Sequence, residues 1–566
     1  MSLAETRTRI GRWFRALGLD GCLFALGFAL LLPVFLAPLC VTRLLPGLDL
    51  PFHLGIADML SKTGAADSPY APYYDGGLRV APYAAHYMAL VLLGKVMNLL
   101  TAHKLIVGLY VAAMPLSAAS LLAACGRSRI PALLAFPLAY NLTLHYGFVS
   151  FALSLPVLMW LLARMVRHVE AGPDRMWRTW ALTAALALAL FLCHLQNFLF
   201  GLGAALAFAA FSAVPWRRRL LGAATVLPAL AAASYWQLTA SAAQGSSRTV
   251  GQIWDIIKRH RLGDLDGRTW SADLARRLTA LPNHAMRAFT DMSEVTACEL
   301  LLIVVAAYIV VAALAGPRTN ASGQAEPRRP ARWPPVLVAQ AGALVAYLFL
   351  PHHLGELELM TFYPRFAVLV VLMALLLVPR RLLNVTGPLR WLLPVPALIV
   401  CALYGRQLVI HYRLYAAESA DFLAVVEKTP PGGRALSLVF DRASRVMRIE
   451  SAYVGMAGFY PALRPGPASM APLWYCGMRH MPCTVKPPAL DFPKPWTPRN
   501  FDPDKVVPLY DYFFVRSPPP NLDLFKNQKT NVELLAQKGT WFAYRRKPAP
   551  SVPATSLAAQ RPAGGG

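Results

Sequence analysis

The sequence predicts an α-helical polytopic membrane protein with a small C-terminal α/β domain. Three observations carry that expectation. Of 566 residues, 56% are hydrophobic and only 15% charged, giving a mean hydropathy of +0.43, too apolar for a soluble domain of ordinary composition. Apolar stretches of about 15 to 22 residues recur as far as residue 404, each near the length that crosses roughly 30 Å of hydrocarbon. Beyond residue 405 the sequence turns ordinary and globular. Fibrous, collagen-like and wholly disordered chains are excluded, as is an outer-membrane barrel, whose strands run only about 10 residues.

The first apolar stretch, Cys22 to Thr42, follows Arg7, Arg9, Arg12 and Arg15. Basic residues stay cytoplasmic, so the N-terminus is expected inside and residue 43 outside. The stretch is long for a signal-peptide core and no small-x-small site follows it, so it is retained as a spanning helix. Five further Arg clusters separate apolar stretches: Arg127 and Arg129; Arg164 to Arg178; Arg217 to Arg219; Arg318 to Arg332; Arg380 and Arg381. Placing these inside leaves Asn141 to His145, His194 to Asn197, Thr239 to Thr296 and Pro351 to Arg365 outside. Parity then permits one crossing between residue 43 and Arg127, so Ala84 to Leu100, short and carrying His86 and Lys95, reads as a juxtamembrane or re-entrant helix. The tally is about eleven crossings, the last from Thr386 to Tyr404.

The same reading divides the chain. Residues 1–404 form the membrane domain, with juxtamembrane helices in 43–100 and a large external loop, 239–296. Residues 405–546 form an extracytoplasmic α/β domain, and 547–566 a Pro/Ala/Gly tail with nothing to bury. In the α/β domain, strand-like runs (Ala435 to Phe440, Tyr510 to Arg516, Thr540 to Arg545) alternate with helix-like ones (Ala417 to Lys428, Val532 to Gln537). Pro317 to Arg332 reads as a flexible cytoplasmic loop. Six of eight cysteines lie in or beside apolar stretches; Cys476 and Cys483 form the one pair in the external domain, where an oxidising compartment would permit a bridge. The excess of 55 Lys+Arg over 29 Asp+Glu would suggest nucleic acid in a soluble chain. Here it sits in the loop clusters with no recognition motif, and no nucleic-acid partner is expected.

Ionisable groups beside spanning helices are costly and mark candidate chemistry. The first is Asp49-Leu50-Pro51-Phe52-His53, where Asp49 can take a proton from a substrate hydroxyl and His53, four residues on, can hold it or its partner in place. The same residues also suit a helix cap. The second is Arg365 in Phe362-Tyr363-Pro364-Arg365-Phe366, a guanidinium able to grip a phosphate bidentately or to snorkel at the interface. His352, His353, Glu356 and Glu358 crowd one outer turn; His352 and Glu356, at i and i+4, share a face if helical. Asp264-Leu265-Asp266 is a DxD triplet, a pattern that also arises by chance in polar loops. His145 with Asn141, and His194 with Asn197, interrupt closely spaced helices and point to the wall of the same cavity, unless they are satisfied bundle residues.

These features resemble the type C glycosyltransferase superfamily, polytopic enzymes that use polyprenyl-phosphate-linked sugars. The shared layout is an Asp directly after the first helix, a first external loop with juxtamembrane helices, short helix pairs and a soluble domain after the last helix. It is specific at Asp49-Leu50-Pro51-Phe52-His53 and less so at Pro364-Arg365-Phe366. The resemblance implies a base or acceptor-orienting role for Asp49, supported by His53, and donor-phosphate contacts for Arg365 and His194. His145, Asn141, Asn197, His352, Glu356 and Glu358 would line the substrate cavity. Asp49 is followed by Leu50 rather than by a second acidic residue, which favours metal independence; no cofactor is expected, and a divalent metal, though open, is not favoured. The implied partners are a polyprenyl-phosphate-linked sugar donor, membrane lipid and a glycan, lipid or protein acceptor, and the composition leans toward a bacterial inner membrane. A transporter or flippase for a lipid-linked solute, and a non-catalytic assembly protein, are the competing readings. Polar groups gathered at helix ends rather than at the midplane speak for the enzyme.

Overall fold

The computed structural model describes residues 3–548, except 63–64, 66–67, 69, 72–73, 76–78, 171–172, 213, 245–249, 316–333, 356–359, 465, 467–483, 486–496 and 519–523. The pair Cys476 and Cys483, the acidic residues Glu356 and Glu358, the loop 317–332 and the tail beyond residue 548 lie outside the described residues.

Helix α1 (Leu3–Cys40) is broken at Gly18 (φ 65°), and its apolar part, Gly18–Cys40, is long enough to cross a membrane. α2 (Leu50–Lys62) and α3 (Ala84–Gly94) follow in the first loop. Eleven residues in α3 reach only about 16 Å, half a bilayer core, which suits a helix that does not cross. α4 (Leu99–Ala124) and α5 (Val149–Glu170) come next, joined through a short helix, Leu142–His145, capped by Asn141. α6 (Pro173–Cys193) and α7 (Leu195–Phe211) are separated by the single extended residue His194. α8 (Leu227–Gln244) leads into α9 (Val250–Gly263) and α10 (Trp270–Thr279). α11 (Ser293–Leu314), α12 (Pro334–Phe349), α13 (Arg365–Ala374) and α14 (Val395–Glu427) complete the bundle. Among the described residues, five helices are long and apolar enough to cross a membrane, and six apolar helices are shorter. The loop 239–296 is thus largely helical.

The last helix does not stop near Tyr404. α14 runs unbroken to Glu427, about 50 Å at 1.5 Å per residue, so it leaves the membrane domain and enters the C-terminal one. There it backs a four-stranded sheet of β1 (Ala435–Val439), β2 (Tyr512–Arg516), β3 (Val532–Lys538) and β4 (Trp541–Arg546), in the order β1-β2-β4-β3. β1 and β2 run parallel, and the other pairs are antiparallel. Val532 to Gln537, expected as a helix, is therefore the edge strand. Glu, Leu, Ala and Gln favour helix in isolation, but pairing with β4 decides the state. Side chains alternate across the sheet: Phe514 and Trp541 face Phe422 of α14, at ring-centroid distances of 5.8 and 4.8 Å, while Leu436, Phe513 and Phe542 fill a second core with Phe525.

Candidate active site

Asp49 occupies the turn between α1 and α2, and its position is set by backbone. Leu48 N donates to His145 O (3.1 Å) and Asp49 N to Tyr146 O (3.0 Å). Gly147 makes that approach possible. Its φ is +90°, and a Cβ there would lie 2.6 Å from Leu50 N and 2.7 Å from Asp49 N. From the other side the C-terminal domain presses equally close. A Cβ on Gly455 would meet Leu48 O at 2.7 Å, and one on Gly458 would meet Pro51 O at 2.5 Å. The Asp49 turn is thus held between two glycine contacts from one domain and one from the other, positions where a side chain has no room.

His53 reinforces the same arrangement. Its Nε2 lies 2.9 Å from Gly147 O and its Nδ1 2.6 Å from Tyr87 Oη. A carbonyl only accepts, so Nε2 carries the proton and Nδ1 accepts from the tyrosine. Burial pulls the His53 pKa down to about 4 against a weaker opposing contribution from the Gly147 carbonyl. The ring is neutral in the fold and bound to the turn, so it holds Asp49 in place through Gly147. His284 and His352 are likewise pulled down to about 4, burial being the largest cause. Because all three fold at pKa values below the unfolded value of about 6.5, their contribution is complete above that pH and is lost as pH falls toward 4. Thermal unfolding in detergent should shift to lower temperature across that window, and His53→Gln should remove part of the slope; a flat profile contradicts the assignment.

Arg365 reaches the opposite end of the same turn. Its guanidinium lies 3.9 Å over the ring of Phe148, which stacks on Tyr146 at 5.6 Å, and Nη2 donates to Met360 O at 2.8 Å. Tyr83 stands beside it. Burial raises the Tyr83 phenol, and the hydrogen-bonded Arg365 charge works the other way. The Tyr83 hydroxyl is also 3.0 Å from His194 Nε2. Tyr83 adopts a left-handed backbone (φ 71°) at the start of α3, a conformation that a non-glycine residue holds only under constraint. Tyr87 lies one helical turn further on, so α3 offers one tyrosine to Arg365 and His194 and the next to His53. Asp49, His53 and Arg365 therefore converge on residues 146–148, and His194 stands beside Arg365 through Tyr83.

The other sequence candidates divide. His145, Asn141 and Asn197 are fully buried. Asn141 caps its helix through Leu144 N and donates to Tyr110. His145 contacts Asn141 O at 3.1 Å and Tyr412 at 3.4 Å, and Asn197 donates to Ser154. These three support the wall around the turn. His352 sits apart, its backbone N donating to Asp264 Oδ2 at 2.5 Å. Asp264 also pairs with Arg277 at 3.3 Å, whereas the Asp266 side chain points to the surface, so the DxD carboxylates do not converge. Among the described residues, no group of three or more His, Cys, Asp or Glu is placed to hold a metal.

Sequence reasoning missed Tyr83, Tyr87, Gly147 and Glu450. Burial raises the Tyr146 phenol, and Glu450 and Asp49 raise it further, which puts a carboxylate of the C-terminal domain beside the turn. A second buried carboxylate, Asp58 in α2, is bound by Lys62 and Tyr70 at 2.8 Å each. Burial raises its pKa against those two partners.

This helical architecture, with its first-loop helices and trailing sheet domain, is shared with a solved membrane-protein structure. Among solved structures, ArnT from Cupriavidus metallidurans, bound to undecaprenyl phosphate, superposes with a TM-score of 0.50 at 12% sequence identity, over 92% of this chain and 97% of that one. No protein-family model matches the chain, and no curated protein matches it in sequence.

Proposed function

We propose that the protein is a membrane glycosyltransferase that moves a sugar from a polyprenyl-phosphate-linked donor to an acceptor on the extracytoplasmic face, with inversion at the anomeric carbon. The observation that supports this most is the meeting of Asp49 and Arg365 at the two ends of one turn, residues 146–148, in a fold shared with a protein crystallised with undecaprenyl phosphate.

In this reading the Asp49 carboxylate takes the proton of the acceptor hydroxyl as its oxygen attacks the anomeric carbon. The bond from that carbon to the phosphate oxygen breaks, and the lipid phosphate leaves with the electron pair. Arg365 neutralises the developing phosphate charge, with His194 and the Tyr83 hydroxyl beside it. His53 positions the turn rather than touching substrate, and Glu450 offers the acceptor a second carboxylate. The isoprenoid tail stays in hydrocarbon, which accounts for a many-helix domain around a surface site. No cofactor is invoked.

Arg365→Ala tests the donor half of the site. Losing a charge-assisted contact worth about 1.5–3 kcal/mol should weaken binding of polyprenyl phosphate by roughly 10- to 100-fold. Titration of the purified, folded variant reads this directly. Unchanged affinity would remove Arg365 from the site, and normal lipid movement without any sugar transfer in the parent protein would favour a flippase.

A further inference from the structure

At the end of the bundle farthest from the Asp49 turn, arginines from three segments gather around Cys125. α1 sets the separation: its apolar part, Gly18–Cys40, measures about 35 Å at 1.5 Å per residue, with Asp20 at its start and the Asp49 turn beyond its end. Arg127 and Arg129 lie in the turn after α4, Arg164 and Arg167 near the end of α5, and Arg380 after α13. Cys125 lies close enough to act on both Arg127 and Arg167. Arg380 likewise acts on Arg127, and Arg129 and Arg164 on Arg167.

The fold builds this crown deliberately. Asp20 accepts from Ser128 Oγ at 2.5 Å and from Arg129 N at 2.9 Å, tying the turn after α4 to α1. Arg167 Nη2 donates to Ser120 O at 3.1 Å, and Arg127 donates to the Val378 carbonyl. The Arg380 guanidinium lies against Gly126, where a Cβ would meet its Nε at 3.5 Å and its Cζ at 3.6 Å. Burial pulls the Arg127 pKa below its ordinary value; Cys125 opposes this, and the Arg380 charge adds to the fall. Like charges held this close repel one another. Among the described residues no carboxylate is ion-paired with Arg127, Arg164, Arg167 or Arg380. A positive group of planar, forked donors suits a phosphate.

The surroundings point to the bearer of that phosphate. Trp177 near the start of α6, Trp216 after α7 and Trp391 ahead of α14 stand at the same end of the bundle and are 72%, 64% and 60% exposed. Outward tryptophans at the ends of apolar helices mark the boundary between lipid and water. Leu377, one residue before the carbonyl that Arg127 holds, is 46% exposed, so apolar surface adjoins the charge. We propose that the crown binds the phosphate of an anionic phospholipid in the leaflet opposite the Asp49 turn, with the acyl chains along that apolar surface. The lipid offsets the repulsion among the arginines and ties α4, α5 and the segment after α13 to one another, far from the sugar-transfer chemistry.

Native mass spectrometry of the full chain, released from detergent micelles holding equal amounts of phosphatidylglycerol and phosphatidylcholine, reads the retained lipid without requiring sugar transfer. Phosphatidylglycerol should be retained preferentially. Arg164→Gln with Arg380→Gln should cut that preference roughly 25-fold, about 5-fold for each arginine at a lipid surface. Arg217→Gln with Arg218→Gln makes the same charge change on the short helix Trp216–Ala223 and should leave the preference unchanged. No preference in the parent protein, or equal losses in the two variants, would reduce the arginines to general surface charge and overturn the proposal. Displacement of the lipid by inorganic phosphate at matched concentration would assign the crown to a free anion and overturn it equally. Should the double variant fail to fold, Arg380→Gln alone, at an exposed position, is read against Arg217→Gln.

Discussion

Asp49→Asn should lower sugar transfer by about 10²- to 10⁴-fold, the range removed when a positioned general base is lost. The substitution preserves side-chain volume, and the backbone bonds that fix the turn, Leu48 N to His145 O and Asp49 N to Tyr146 O, do not involve the carboxylate. Donor affinity, assigned in the proposed site to Arg365 at the other end of the turn, should remain within a few-fold of the parent protein's. The check is a paired measurement on one preparation, turnover with a lipid-linked sugar and binding of the polyprenyl phosphate. Full turnover would remove the base role, whereas joint loss of turnover and donor affinity would mean that the turn itself had moved.

Gly147→Ala should be nearly as damaging for a different reason. The Cβ would stand 2.6 Å from Leu50 N and 2.7 Å from Asp49 N, at a φ of +90° that L side chains rarely adopt. Neither obstacle is a flexible side chain that can swing away. The backbone strain alone costs on the order of 1–3 kcal/mol, and relieving the contact requires the Asp49 turn to separate from residues 145–146. Turnover should therefore fall by about 100-fold or more, because displacements near 1 Å in a reacting geometry cost that much. The midpoint of thermal unfolding should fall as well. A variant with parental turnover would show that the turn tolerates movement and that its close packing is incidental.

These two residues mark how much was legible beforehand. Asp49 was visible because a carboxylate directly after a long apolar stretch is chemically conspicuous, and Arg365 because a guanidinium at the start of an apolar helix is equally so. Gly147, Tyr83 and Tyr87 carried no such signal. Their roles arise from approaches between segments about 35 to 110 residues apart, such as Tyr83 with His194 and His53 with Gly147, and periodicity contains no information about which segments meet. The expectation that the sheet domain follows the last helix held. Its boundary did not show, because α14 keeps helical spacing straight through residue 405. The misread edge strand, Val532–Lys538, failed for the reverse reason: local preference pointed one way and sheet pairing the other. The buried Asp273, paired with Arg261, Arg276 and Arg277, lay unnoticed in the expected external loop, since counting charge cannot reveal which charges are turned inward.

The uninterrupted α14 has a mechanical consequence. A domain tethered by a glycine-rich linker swings, but one mounted on a stiff rod and touching the neck of the bundle at Gly455 and Gly458 stays fixed above it like an awning. On the function proposed above, an acceptor would therefore meet a stationary surface rather than a domain that swings over it.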